Sequence, residues 1–177
     1  MTRFLSFIAA MLMAVPGLAA ELDDRYESMG TMTVTLDGTA TRMVIPYDRE
    51  KDRPYAEQKM IMGSFLTINT VGRVVDETGK PGRPMVQVTL QKRNGDMALI
   101  SAEIFDDKGY DAPMVMGADG GDGKLVAFEM TPDNVVTATV EGTFLRLTGY
   151  TSEPRVADGA EPVAATIEWT AEIAPLE

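Results

Sequence analysis

Apolar and polar residues alternate with a period of two along most of this chain, and no helical apolar period lasts beyond two turns. VAATIEWTAEI, residues 163–173, is the clearest case. Ala165, Ile167, Trp169, Ala171 and Ile173 fall on one face, and Thr166, Glu168, Thr170 and Glu172 on the other. That is a strand with one face in a core and one in water, and it makes Trp169 a core anchor. PMVQVTLQKR and DMALISAEIF flank Asn94-Gly95. Asn-Gly between two β-rich runs predicts a hairpin, because a type I′ turn needs positive φ at both central residues. SFLTINTVGRVV, residues 64–75, is a further strand that leads into a Gly/Pro turn.

Two segments resemble each other. MTVTLDGTATRM (32–43) and VTATVEGTFLRL (136–147) align without gaps; Thr33, Thr35, Gly38, Thr39 and Arg42 match Thr137, Thr139, Gly142, Thr143 and Arg146 identically. Each reads as strand, acidic-Gly-Thr corner, strand, so two hairpins are expected, alike through composition alone or, in the sharper alternative, as a pseudo-symmetric pair. PYAEQKMI (54–61) is expected to form a short helix, with Asp52 near its cap and Pro54 in its first turn. Residues 151–162 read as a loop. GADGGDGKL (117–125) carries two Asp-Gly turn dipeptides before the alternating LVAFEM, so a chain reversal is expected there. Short strands at hairpin spacing predict an all-β fold: an antiparallel β-sandwich or small β-barrel of about eight to nine strands.

The first residues change the picture of where this domain works. Arg3 precedes an apolar run from Phe4 to Val15, then Pro16 and the small residues Gly17-Leu18-Ala19-Ala20. That order predicts a signal peptide over 1–20 and an exported, periplasmic or secreted, single all-β domain over 21–177. The run is too short to span a bilayer, which needs about 20 apolar residues. Thr, Glu and Gln on the strands also disfavour an outer-membrane barrel. Removing residues 1–20 takes away Arg3 and no acid, leaving 15 basic against 27 acidic residues, a net charge of −12. Such a charge repels phosphate backbones, so nucleic acid is not an expected partner.

The chain has no histidine and no cysteine. That removes disulfides, thiolate nucleophiles, the usual zinc ligands and any serine–histidine triad. None of Ser28, Ser64, Ser101 and Ser152 sits in a Gly-x-Ser-x-Gly elbow or begins Ser-x-x-Lys. Glu168 and Glu172 share a face, but four strand residues separate them by about 13 Å, beyond glycosidase spacing.

Two metal chemistries survive this exclusion. Asp106, Asp107, Asp111, Asp119 and Asp122, with Glu103, concentrate carboxylates in apparent loops, as a Ca2+ site requires. The EF-hand and nonapeptide calcium patterns do not fit: Asp119-Gly-Gly-Asp lacks an oxygen donor at the third position, and Leu125 stands where the repeat needs Asp. Met60-Ile-Met62 and Met114-Val-Met116 offer thioethers that suit Cu(I). Methionine is equally a filler of irregular cores.

No resident cofactor is expected, with Ca2+ as the alternative. The leading functional expectation is a non-enzymatic binding or accessory module for a protein or a small apolar ligand. A metal-binding accessory protein and a carboxylate-dependent hydrolase follow it.

Overall fold

The computed structural model describes residues 21–176; the segment read as a signal peptide lies outside them. Every regular element among the described residues is a strand: β1 (Tyr26–Leu36), β2 (Thr39–Asp48), β3 (Arg53–Pro54), β4 (Ala56–Ile61), β5 (Phe65–Val75), β6 (Pro81–Arg93), β7 (Asp96–Phe105), β8 (Met114–Gly117), β9 (Gly123–Met130), β10 (Val135–Thr148), β11 (Arg155–Val156) and β12 (Val163–Glu172). The count is twelve, above the eight to nine expected. The surplus comes from two-residue pieces in stretches read as loops and from β4.

All twelve strands belong to one antiparallel sheet, in the order β3-β2-β1-β12-β10-β8-β7-β6-β5-β4, with β9 and β11 also on β10. Val44 pairs with Arg73, joining β2 to β5, so the hydrogen-bonded path through eight strands returns on itself. The inward positions fill the ring. Met32, Val34, Ile45, Ile68, Val86, Val88, Leu90, Met116, Val140, Phe144, Ile167, Trp169 and Ile173 are buried in one apolar cluster. Outside the ring, the rows that cross β1, β12 and β10 are polar: Thr31–Thr170–Thr137, Thr33–Glu168–Thr139 and Thr35–Thr166–Glu141.

A second, smaller apolar layer lies on the outer side of β6, β7, β8 and β10. Ala102 and Ile104 belong to the inner cluster, so alternation sends Glu103 and Phe105 outward. Met85, Phe105, Val115 and Leu147 are buried there. The strap 106–113 and Tyr150 cover them: Phe105 packs against the rings of Tyr110 and Tyr150 at 5.3 and 6.2 Å between centroids.

Three expectations are corrected. PYAEQKMI is not a helix; it contains Pro54 of β3 and the whole of β4, which pairs with β5 from Ala56↔Thr70 to Ile61↔Phe65. Its alternation, with Ala56 and Gln58 buried, outweighs the cap signal of Asp52 and Pro54. The two similar segments are not two hairpins. The first turns at Asp37-Gly38, where φ is +44° and +83°. The second is one uninterrupted strand, β10. What they share is a neighbour, since β1 and β10 flank β12 on its two sides. GADGGDGKL makes no reversal. β8 and β9 both pair antiparallel with β10, at Leu145↔Val115 and Gly142↔Gly123, so the chain resumes the same direction after a loop-out.

Candidate functional site

The glycine-rich loop-out is held by close backbone approach. Thr143 N–H donates to the Asp122 carbonyl at 2.7 Å, Gly121 N–H to Val115 O at 2.9 Å, and Gly117 N–H to Gly121 O at 2.5 Å. A Cβ on Gly142 would overlap the Asp122 carbonyl oxygen, and one on Gly121 the Thr143 carbonyl oxygen. These glycines therefore serve contact between strands, while Gly117, at φ +78°, turns the chain out. Beside the loop lies an open cleft of about 570 Å³. Small residues (Gly38, Gly123, Gly142, Ala164) form much of its wall, and Thr35, Thr166, Lys124, Asp122 and Glu141 supply its polar groups. Lys124 stands across the ladder from Glu141. The cleft has hydrogen-bonding capacity but no aromatic wall.

The acidic residues singled out in the sequence are dispersed. Asp106 accepts from Arg146 at 2.5 and 3.0 Å, and Arg146 also donates to the Ala112 carbonyl at 2.7 Å. Burial pulls the Asp106 carboxyl upward, but the Arg146 hydrogen bonds and the Lys108 backbone N–H hold it below the ordinary aspartate value. Asp111 accepts from the Thr151 hydroxyl and backbone N–H at 2.7 and 3.0 Å, and these bonds lower its pKa. Both carboxylates pin the strap. Asp107, Asp119 and Asp122 are exposed. Among the described residues no group of three or more acids stands close enough to hold a metal ion. Glu103 is buried between Gln87 of β6 and Val115 of β8, with Tyr150 O–H donating to one carboxylate oxygen at 3.3 Å and the other oxygen unpartnered. Burial raises its pKa, and burial together with the Glu103 charge pushes Tyr150 up to about 12.

The methionine pairs sit in different surroundings. Met116 is in the ring core and Met114 packs against it. Met60 and Met62 belong to the β4–β5 hairpin, three strands away from β8 in the pairing order. Met62 lies in the turn, beyond the end of β4, so the pair does not share a strand face.

That hairpin carries the feature the sequence reading missed. Met60, Ile61, Met62 and Phe65 are 46, 43, 88 and 45 % exposed, and all four lie at one tip. Met62 takes φ +52° ahead of Gly63 at +68°. An unbranched apolar residue in the left-handed region gains nothing locally; asparagine or glycine would turn the chain at lower cost. A concavity beside the tip is lined by Met60, Phe65 and Leu66 and, from the β6–β7 hairpin, by Gln91, Lys92 and Arg93. The available signal was the run Met60-Ile-Met-Gly63, apolar residues placed on a turn glycine where polar ones are usual.

Comparison of the chain with protein families, with curated proteins and with solved structures returned no match.

Proposed function

We propose that this chain is an exported, non-enzymatic binding module, a small β-barrel that engages a protein partner through the apolar tip of its β4–β5 hairpin. The observation that carries the reading is Met62, 88 % exposed and held at positive φ within a cluster of exposed Met60, Ile61 and Phe65. Scattered surface apolars are ordinary, but a contiguous apolar patch edged by polar groups marks an interaction site. Met, aromatic and Arg side chains are enriched in protein interfaces, and Phe65 and Arg93 stand beside the concavity.

A small apolar ligand would need room inside the ring, and that interior is occupied by the buried cluster around Phe144 and Ile167. The polar rows over β1, β12 and β10 suit water, where a lipid-facing band would be apolar. Among the described residues, no helix is long and apolar enough to cross a membrane.

The test is a binding comparison on a complex isolated at defined stoichiometry from the native cells. The double variant Met62→Asp, Phe65→Asp is expected to weaken it at least about 30-fold, the size of an interface hot spot. Glu168→Lys, on the polar face, should leave it unchanged. Equal affinity for all three proteins would remove the hairpin tip as the site.

A further inference from the structure

Three arginines gather around two tyrosine rings on the outside of the sheet. Arg53 and Arg73 both place their guanidinium groups 5.0 Å from the centre of the Tyr55 ring, and Arg83 lies 4.3 Å over Tyr110. Alternation puts them there. Ala56, Ile68 and Val86 belong to the inner cluster, so Tyr55 ahead of β4, Asn69 and Arg73 of β5, and Gln87 of β6 point outward. A hydrogen bond from Arg83, then the charges of Arg83, Arg73 and Arg53, hold the Tyr110 phenol below its ordinary value against its partial burial. The three cations therefore act on one place.

No carboxylate answers them. The chain carries 27 acidic against 16 basic residues, yet among the described residues none of these arginines forms an ion pair. Their donors are underused as well. Arg73 reaches the Pro81 carbonyl at 3.5 Å, and its Nε is buried without a partner. Arg83 donates to the Asp106 carbonyl at 3.3 Å. A guanidinium offers five donors in a fixed fork that matches a carboxylate or a phosphate. Beside Arg53 and Tyr55 lies a concavity of about 90 Å³, walled also by Asn69, Val71 and Gln87. That is the room of about three waters, enough for one such group. Two acids stand near it. Glu57 lines the wall but is paired with Lys59 at 2.8 Å. Glu103 lies across β6 beyond Gln87, and burial favours its neutral form.

We infer that Arg53, Arg73 and Arg83 form an oxyanion site, which takes the carboxylate or phosphate group of a small anionic ligand. Stacking on Tyr55 and Tyr110 orders the guanidinium groups before the anion arrives, and an anion among them relieves their mutual repulsion. Arg73 stands at the far end of β5 from Phe65 and the hairpin tip. The anion site therefore stands or falls independently of the tip as a protein contact.

The test is an NMR titration of the purified protein with sodium phosphate and, separately, sodium glucuronate, into the tens of millimolar at ionic strength fixed with chloride. Saturable shifts are expected at the Nε–H signals of Arg53, Arg73 and Arg83. Arg53→Gln and Arg83→Gln, both at exposed positions, should each weaken the saturating anion about tenfold, as loss of one charge-assisted hydrogen bond does. Amide shifts away from the site should stay at their wild-type values and show that both variants fold. Arg155→Gln and Met62→Asp should leave the titration unchanged. Saturation by phosphate alone assigns a phosphorylated ligand, by glucuronate alone a carboxylate, and by both a site that reads the shared charge. A wild type that saturates with neither anion overturns the inference. So does a saturation that both site variants leave intact, or one that Arg155→Gln weakens as much as they do.

Discussion

Arg146 on β10 holds both carboxylate oxygens of Asp106 at 2.5 and 3.0 Å, across 40 positions of sequence. The pair ties the strap 106–113 to the sheet and closes the outer layer around Phe105. Both partners are mostly covered, at 21 and 22 % side-chain exposure. Replacing Arg146 with Met should therefore cost about 2 kcal/mol, the worth of a charge-assisted hydrogen-bond pair. For a domain of this size that lowers Tm by roughly 4–8 °C. Proteolysis should open within 106–113 before it opens elsewhere. Because the folded Asp106 pKa lies below its ordinary value, the stability this pair gives is full above that value and is lost as pH falls through the folded one. Arg146→Met should flatten the acid limb of the stability curve. An unchanged acid limb would mean that the pair carries no linkage.

Glu103 has the opposite sign. Burial raises its folded pKa above the ordinary 4.5, so the folded state holds the proton more tightly than the unfolded chain. Its contribution is greatest below 4.5 and is lost as pH rises through the folded value. Glu103→Gln keeps the shape and removes the charge. Its Tm should match wild type at low pH and exceed it at neutral pH, with the gap widening between. A gap that closes toward neutral pH contradicts a buried, charge-averse Glu103.

Gly142 lies in the middle of β10, where a side chain would meet the Asp122 carbonyl. Gly142→Ala should destabilise the fold by about 1–3 kcal/mol and loosen the loop-out, as overpacking does. Gly38 has open space around its Cβ position and only its positive φ to defend. Amide exchange separates the two: Gly142→Ala should speed exchange at Gly121 and Thr143, and Gly38→Ala should not. Equal exchange in both would show that the close approach is unimportant.

The strands legible in the sequence were those whose partners impose a clean alternation. Residues 163–172 of VAATIEWTAEI became β12 with Ile167, Trp169 and Ala171 inside, because both of its neighbours bury the same face. Asn94 and Gly95 take φ +54° and +101° in the hairpin their dipeptide predicted. GADGGDGKL failed for a non-local reason. A reversal and a loop-out both need positive-φ residues, and the choice depends on β10, which holds both β8 and β9. The match at Gly142 misled in the same way, since a glycine that turns a chain and one that admits a neighbouring carbonyl look alike in sequence. The acids Asp106 and Asp111 looked like ligands because their partners, Arg146 and Thr151, lie 40 residues downstream. The hairpin tip stayed hidden because Met60 and Met62 suggested thioether chemistry before exposure could be known.

Photo-crosslinking in the native cells shows whether the β4–β5 tip is where this protein meets its partner. A crosslinking residue replaces Met62 in one strain and Glu168 in another. One discrete adduct is expected from position 62, competed away by unlabelled wild type but not by the Met62→Asp, Phe65→Asp variant, and no comparable adduct from position 168. Adducts of equal yield and identity from the two positions, or none from position 62, would contradict it.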